Sequence, residues 1–294
     1  MVTTLGPSFL VETIEDVVKA IEVLIAGKVC ADDRSHPQSK AQETYRMQHD
    51  VIEGVDAANA HPIATSAMEL LASIVRVMGA NPSFLPAYQR LWNGCASYLT
   101  RWNAPGDLTS CYILAESLFE TYERDAMFVV SGILPMLPVT AGYRNEFTRA
   151  NTFYLISLLF DVFPQEMEGQ LTEFCGILRT GLDGYAGDVG LEWESEIEKG
   201  RASDNAVCAL VHMDISYEGH FTEEVLMSVM PFLPLRCDDY DQETVLSWLN
   251  TILNAKKPLY MRCLVGILRV FADWLNLEDV EDDVMVGEKS GDEV

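Results

Sequence analysis

Lys and Arg are scarce in this chain of 294 residues, where 20 of them stand against 45 Asp and Glu, giving a formal net charge of −25 at pH 7. A strongly negative protein repels nucleic acid and anionic lipid surfaces and attracts basic proteins. We therefore expect basic protein partners, and no binding to nucleic acid or to a membrane. The ordinary alternative is that the acidity only keeps a long apolar chain soluble.

The chain also lacks the motifs that carry chemistry. It has no Cys-x-x-Cys, no His-Glu-x-x-His zinc pair and no Gly-x-Ser-x-Gly nucleophile elbow. Glycine recurs every third residue from Gly181 to Gly190, but no predicted strand precedes this run, and the neighbouring acids would repel phosphate. The sequence predicts no catalytic residue, metal or cofactor, and so a protein that is not an enzyme.

Long uncharged runs are missing as well. The longest, Ala126 to Tyr143, is interrupted by Pro135 and Pro138, so we interpret it as buried helix and not as a membrane span. Acids such as Glu12 and Glu15 stand where a signal peptide needs an uncharged segment. Seven widely spaced cysteines are typical of reduced thiols in an intracellular protein.

What the chain does contain is repetition. The phrase Ile133 to Pro138 (ILPMLP) returns 96 residues later as Val229 to Pro234 (VMPFLP). The helical run Ser110 to Phe119 overlays Asn151 to Phe160 when it is shifted by 41 residues. A period near 40 built from paired helices is typical of HEAT and armadillo units. The sequence predicts an all-α fold, an α-solenoid of stacked helix pairs.

Apolar periodicity divides the chain into alternating first and second helices of about six to seven pairs, and no segment alternates with the period of a strand. We predict one array over residues 1–277. An acidic loop inserted at 183–200 explains why the 96-residue spacing exceeds two periods. The tail 278–294 is rich in acids and predicted to be disordered.

The repeats resemble a known family. One block is similar to HEAT repeats of the importin-β (karyopherin-β) superfamily, and it consists of Phe128 to Pro138, Asn145 to Asn151 and a long apolar helix. In this block Asn145 stands where Asp is usual in the family, and Arg149 stands where the family has Arg. A second block resembles the C-terminal third of importins that carry ribosomal proteins and histones. It consists of Ser203 to Leu210, Phe232 to Leu235 and the acids that follow Leu235. The resemblance is best over residues 107–275.

The resemblance implies a nuclear transport receptor, or its C-terminal cargo-binding portion, that shuttles between cytoplasm and nucleus. Its expected partners are basic cargo, namely ribosomal proteins, histones or import-signal peptides, and the Phe-Gly repeats of nucleoporins. Ran-GTP binding is expected only if further N-terminal repeats exist, because those repeats bind it in the family. The concave face of a superhelix suits many weak, salt-sensitive contacts to such cargo.

Candidate cargo-binding residues are the acids of second helices and of the predicted acidic loop, together with one tryptophan as a stacking platform for a basic stem. They are Glu116, Glu120, Asp161, Asp188, Glu192, Glu194, Glu196, Glu198, Asp204, Glu243 and Trp248. Each acid also has an ordinary interpretation as a solvated helix face or a cap, and Asp107 and Asp204 stand where N-caps belong.

A different class of function fits the same fold. A HEAT scaffold subunit of a phosphatase or of a chromosome-associated complex would share the helical repeats and the acidity. The partner set separates the two hypotheses, because a scaffold keeps fixed neighbours whereas a transport receptor binds basic cargo and pore repeats reversibly.

Overall fold

The regular secondary structure of the described residues is helical. The computed structural model describes residues 7–25, 62–101, 105–143, 145–183, 193–237, 241–255, 260 and 263–274, and within these ranges no strand occurs. The predicted all-α class is therefore confirmed. The predicted acidic tail 278–294 lies outside the described residues.

The chain divides into two compact units, Met1–Phe163 and Pro164–Val294. Our prediction of one array over residues 1–277 stays a prediction. The helices of the first unit are α1 (Pro7–Ile25), α2 (Pro62–Met78), α3 (Leu85–Arg101), α4 (Pro105–Tyr122), α5 (Met127–Ile133), α6 (Leu137–Thr140) and α7 (Glu146–Val162). Short 3₁₀ turns at Pro82–Phe84 and Glu123–Ala126 precede α3 and α5.

Local chemistry sets several of these boundaries. Asn145 is the N-cap of α7, since its Oδ1 accepts the backbone N–H of Thr148 at 2.8 Å. The expectation that Asp107 caps α4 is wrong, because the helix begins two residues earlier at Pro105, where a missing N–H costs no hydrogen bond. The run that we expected to be one helix from Ala126 breaks after Ile133, just before Pro135.

The first unit has two layers of helices. In one layer α4 packs between α2 and α7, and in the other α3 contacts α1 and α5. Ser110 Oγ donates to Glu69 Oε1 at 2.9 Å, and Tyr122 Oη donates to the carbonyl of Asn81 at 3.0 Å. Both pairs are 41 residues apart in sequence, so α2 and α4 run parallel and in register.

The same 41-residue register relates α4 to α7. Buried positions of α4 recur as buried positions of α7, for example Tyr112 as Phe153 and Phe119 as Phe160. Thr109 Oγ1 and Thr148 Oγ1 are 3.3 Å apart near one end of this pair, and Phe119 and Phe163 meet edge to face near the other. The repeat seen in the sequence thus corresponds to equivalent, parallel helices in this unit.

The second unit is built around one long helix. Its helices are α8 (Pro164–Met167), α9 (Leu171–Asp183), α10 (Trp193–Ser216), α11 (Thr222–Val229), α12 (Gln242–Ala255) and α13 (residues 263–274), with 3₁₀ turns at Glu168–Gln170 and Met230–Phe232. α10 packs against α9, α11 and α12. Residues Ala206 to Val211 of α10 are all buried, as expected of a helix surrounded by neighbours.

Two expectations need correction here. Residues 193–200 form the first turns of α10, so the predicted acidic loop is helical over its second half, while residues 184–192 lie outside the described part of the chain. The repeated phrase also ends differently in its two copies. The first resumes as α6, whereas the second passes through a 3₁₀ turn into extended backbone at Leu233 and a cis Leu233–Pro234 peptide.

The cysteines that the structure describes are thiols at positions 95, 111, 175, 208, 237 and 263. Three of them, Cys95, Cys111 and Cys208, are buried. Burial raises the pKa of the Cys95 thiol to about 12. Among the described helices, none is long and apolar enough to cross a membrane.

Candidate functional site

A polar cluster on the α2, α4 and α7 layer is the main candidate site. Glu120 on α4 accepts a hydrogen bond from Tyr154 Oη of α7 at 2.7 Å, and Arg76 Nε of α2 lies 3.7 Å from Glu120 Oε2. Glu116, one helical turn away on α4, completes what we call the Glu116–Glu120 cluster, which consists of Arg76, Glu116, Glu120 and Tyr154. Three parallel helices thus contribute one cation, two acids and a hydroxyl.

The two acids of this cluster differ in exposure. The Glu120 side chain is 36% exposed and that of Arg76 is 48% exposed, so their ion pair faces water and contributes little to stability. Glu116 is only 5% exposed, and its Oε1 has no hydrogen-bond partner. A buried polar atom without a partner costs free energy in the free protein.

The surroundings of Glu116 also change its ionisation. Burial raises its pKa to about 8, Glu120 adds to the rise by repulsion, and Arg76 opposes it. A carboxyl group with that pKa is mostly neutral at pH 7. Because perturbed carboxyl groups concentrate at functional sites, this cluster is a candidate for binding, although structural networks perturb carboxyl groups too.

The chain matches no model of a protein family. A comparison with curated proteins also finds no match. The candidate site therefore depends on the chemistry of its own residues.

A second polar centre, in the second unit, has a structural character. Asp214 is 1% exposed and accepts three hydrogen bonds, from the N–H of Phe221 at 3.0 Å, Thr222 Oγ1 at 2.8 Å and Trp248 Nε1 at 2.8 Å. These donors come from the turn before α11, from α11 and from α12. The carboxylate therefore ties three segments to α10.

This centre corrects one predicted site residue. Trp248 is only 5% exposed and donates its indole N–H to Asp214, so it does not present a ring face for a basic stem. Sequence reasoning also missed Asp214, although a signal was present. It is the one acid in the run from Ala206 to Ile215, which is apolar apart from Asp214 and His212, and an acid there needs buried donors.

Asp204 is likewise a structural acid in this conformation. It is buried, and its Oδ2 accepts the backbone N–H groups of Arg236 at 2.8 Å and Cys237 at 2.7 Å. The expectation that it caps a helix is wrong, because it lies well inside α10. Its carboxylate instead holds the segment that follows the second copy of the repeated phrase.

The other predicted acids fall into three groups. Asp161 and Glu243 are exposed, on α7 and α12 respectively. Glu194, Glu196 and Glu198 belong to the first turns of α10. Asp188 and Glu192 lie outside the described residues. Of the predicted site residues, the structure brings together Glu116 and Glu120 in the first unit.

Histidine and metal chemistry find little support in the described ranges. The Nε2 atom of His212 lies 3.8 Å from Asp241 Oδ1. Within those ranges no group of three or more His, Cys, Asp or Glu side chains could hold a metal ion. The predictions of no cofactor and of no catalysis remain predictions.

An open groove in the second unit is a further candidate surface. It has a volume of about 830 Å³ and lies between α9 and α11. Its lining combines a cation, two acids, an aromatic ring and a thioether, from Arg179, His220, Phe221, Glu223, Glu224, Met227 and Ser228. Met227 is 61% exposed, and Arg179 Nη2 pairs with Glu224 Oε2 at 3.2 Å.

Proposed function

We propose that this protein is a HEAT-repeat nuclear transport receptor of the importin-β kind, or the cargo-binding portion of one. It binds basic cargo proteins and the Phe-Gly repeats of the nuclear pore, and catalyses no reaction. Its helix pairs stack as an α-solenoid, and the protein shuttles between cytoplasm and nucleus.

The observation that carries this proposal is the 41-residue register of α2, α4 and α7. The Glu69–Ser110 and Asn81–Tyr122 hydrogen bonds join equivalent residues of neighbouring repeats, as stacking by translation requires. Such stacking places equivalent side chains in rows along one layer. Glu120 and Asp161 occupy equivalent positions, both exposed, so the register brings acids into such a row.

Charge supports basic proteins as the cargo. An excess of 25 acids over basic residues attracts basic proteins over a long range, and exposed acids bind them by contacts that salt weakens. The exposed acids Glu120, Asp161 and Glu243 all lie on second helices. Asp204 and Trp248 are no longer candidates for these contacts, because both are buried.

The groove between α9 and α11 supports a site for Phe-Gly repeats. Met227 offers an exposed thioether, which packs well against aromatic rings, and Phe221 lines the same groove. An extended peptide that inserts one ring there would bind weakly and reversibly. Weak binding suits a receptor that must pass through the pore.

A pull-down from cell extract on immobilised 1–294, eluted with rising salt and identified by mass spectrometry, tests the proposal. We expect histones or ribosomal proteins to elute over a range of salt, together with Phe-Gly nucleoporins. One stoichiometric, salt-resistant enzyme or chromosome-complex subunit would contradict the transport proposal and establish the alternative, a HEAT scaffold.

Matched variants make the test specific. The double variant Glu120→Gln/Asp161→Asn should release basic cargo at a lower salt concentration than wild type. The control Glu168→Gln/Glu173→Gln removes the same charge from exposed acids of the second unit, and it should release cargo at nearly the same salt concentration as wild type. Met227→Ser should weaken nucleoporin capture, and Leu70→Ser, a similar change at an exposed apolar residue of α2, should not.

A further inference from the structure

Glu116 of α4 combines a buried side chain with an oxygen, Oε1, that lacks a hydrogen-bond partner. The Glu116–Glu120 cluster contains two carboxyl groups and one guanidinium, and that guanidinium lies 3.7 Å from Glu120. A second cation would give the unpartnered oxygen a hydrogen-bond donor and would balance the charge of Glu116 once that carboxyl group ionises.

We propose that Glu116 and Glu120 form a binding site for one guanidinium or ammonium group of a basic partner, which joins Arg76 as the second cation of the cluster. Glu116 loses its proton to solvent as this cation binds. This inference rests on the proposed function, since it places one contact of a basic cargo. Arg76 is the resident cation that occupies the mouth of the site in the free protein.

The route to the site follows from exposure. Glu120 and Arg76 are partly exposed and meet at 3.7 Å, a distance that a rotation of the long arginine side chain readily increases. A partner's cation that first contacts Glu120 would then lie one helical turn from Glu116. Arginine suits the site best, because its planar fork can donate to two carboxylates at once.

The proton balance is simple because no covalent bond other than O–H changes. In the free protein the Glu116 carboxyl is mostly protonated at neutral pH, since burial raises its pKa to about 8. When the cation arrives, the carboxyl loses its proton to solvent, and its oxygens accept hydrogen bonds from the cation. Binding therefore releases up to one proton, and it strengthens as pH rises towards 9.

The groups around Glu116 support this linkage. α2 contributes Arg76, which favours the charged carboxylate, and α4 itself contributes Glu120, which opposes it. α7 adds the Tyr154 hydroxyl, which donates to Glu120. α3 meets α4 through the carbonyl of Cys95, which accepts from a thiol of α4, so that contact adds no charge.

Isothermal titration calorimetry on the full chain, with a nona-arginine peptide as the probe, measures the linkage. Titrations at pH 7 in two buffers of different ionisation enthalpy give the number of protons released. We expect wild type to release most of one proton and to gain about tenfold in affinity between pH 7 and pH 9. Glu116→Gln should lose both effects, because the amide cannot release a proton.

Asp161→Asn is the matched control, since it removes one charge from the same layer at the position equivalent to Glu120. It should bind the peptide a few-fold more weakly and keep the proton release. Arg76→Met leaves Glu116 in place and removes the cation that lowers its pKa. The rise in affinity should therefore move to higher pH, and this variant tests the linkage even if Glu116→Gln does not fold.

The outcomes separate two failures. Equal proton release from wild type and Glu116→Gln, or an unchanged pH curve in Arg76→Met, would overturn the cation site while leaving basic cargo as the partner class. Failure of wild type to bind the peptide at low salt would overturn the binding of basic partners as well.

Discussion

The two units of this protein each bury an acidic side chain on a second helix of a predicted pair, and the two side chains have opposite hydrogen-bonding environments. Asp214 of the second unit accepts hydrogen bonds from a backbone N–H, a threonine and a tryptophan. Glu116 of the first unit leaves Oε1 without a partner, and burial raises its pKa. Both side chains are at most 5% exposed, so exposure does not distinguish them.

The difference lies in the donors that the neighbouring elements supply. Buried charge is tolerated when hydrogen bonds replace water, and Asp214 meets that condition with donors from the turn before α11, from α11 and from α12. Glu116 lies among another acid and a partly exposed arginine. A buried acid with a full set of donors indicates a structural role, whereas one without them is a candidate for binding.

The largest expected effect on stability comes from removing the Asp214 carboxylate, which accepts three hydrogen bonds. Asp214→Ala leaves a buried backbone N–H, a hydroxyl and an indole N–H without their acceptor, and should lower the free energy of unfolding by about 3 to 5 kcal/mol. Urea denaturation followed by circular dichroism measures it. Glu116→Gln is the comparison, and a loss as large as that of Asp214→Ala would contradict the contrast between the two acids.

A smaller effect is expected on the pH dependence of the free energy of unfolding. The pKa of Glu116 is raised to about 8 in the folded state, so its contribution to stability is full below the unfolded pKa near 4.5 and is lost as pH rises through 8. We expect wild type to lose about 2 to 4 kcal/mol relative to Glu116→Gln between pH 5 and pH 9. Urea midpoints across this range test it, and parallel curves for the two proteins would refute the assignment.

The smallest effect sharpens the comparison by removing one donor. Trp248→Phe keeps an aromatic ring in the core but deletes the indole N–H that Asp214 accepts at 2.8 Å. Two donors remain, so we expect a loss of about 1 to 2 kcal/mol, measured by thermal or urea unfolding. A loss equal to that of Asp214→Ala would mean that the tryptophan carries the whole centre.

Much of the fold was predictable from local signals. The runs Ser110 to Phe119 and Asn151 to Phe160, predicted as equivalent helical segments, lie within α4 and α7, because apolar periodicity is a local property. The 41-residue repeat also predicted which residues of α4 and α7 are equivalent. The sequence failed at residues 193–200, where an acidic and polar composition favoured a loop although the chain begins a long helix there.

The site was harder to predict than the fold. The sequence named Glu116 and Glu120 because they are acids on a second helix, but it also named Asp204 and Trp248, which are buried. It missed Arg76 and Tyr154, because they reach Glu120 from helices far away in sequence. Which acid faces solvent depends on the neighbouring helices, and charge pattern alone does not contain that information.

The sequence by itself determined the helical class, the net charge and the 41-residue equivalence, since each depends on composition or on short-range periodicity. Tertiary structure alone decided which buried acids have hydrogen-bond donors for their oxygens and which do not. The free energy of a carboxylate depends on water and donors within a few ångströms, and those donors come from residues distant in the chain. For that reason Asp214 is a structural centre, and Glu116 retains an oxygen without a partner.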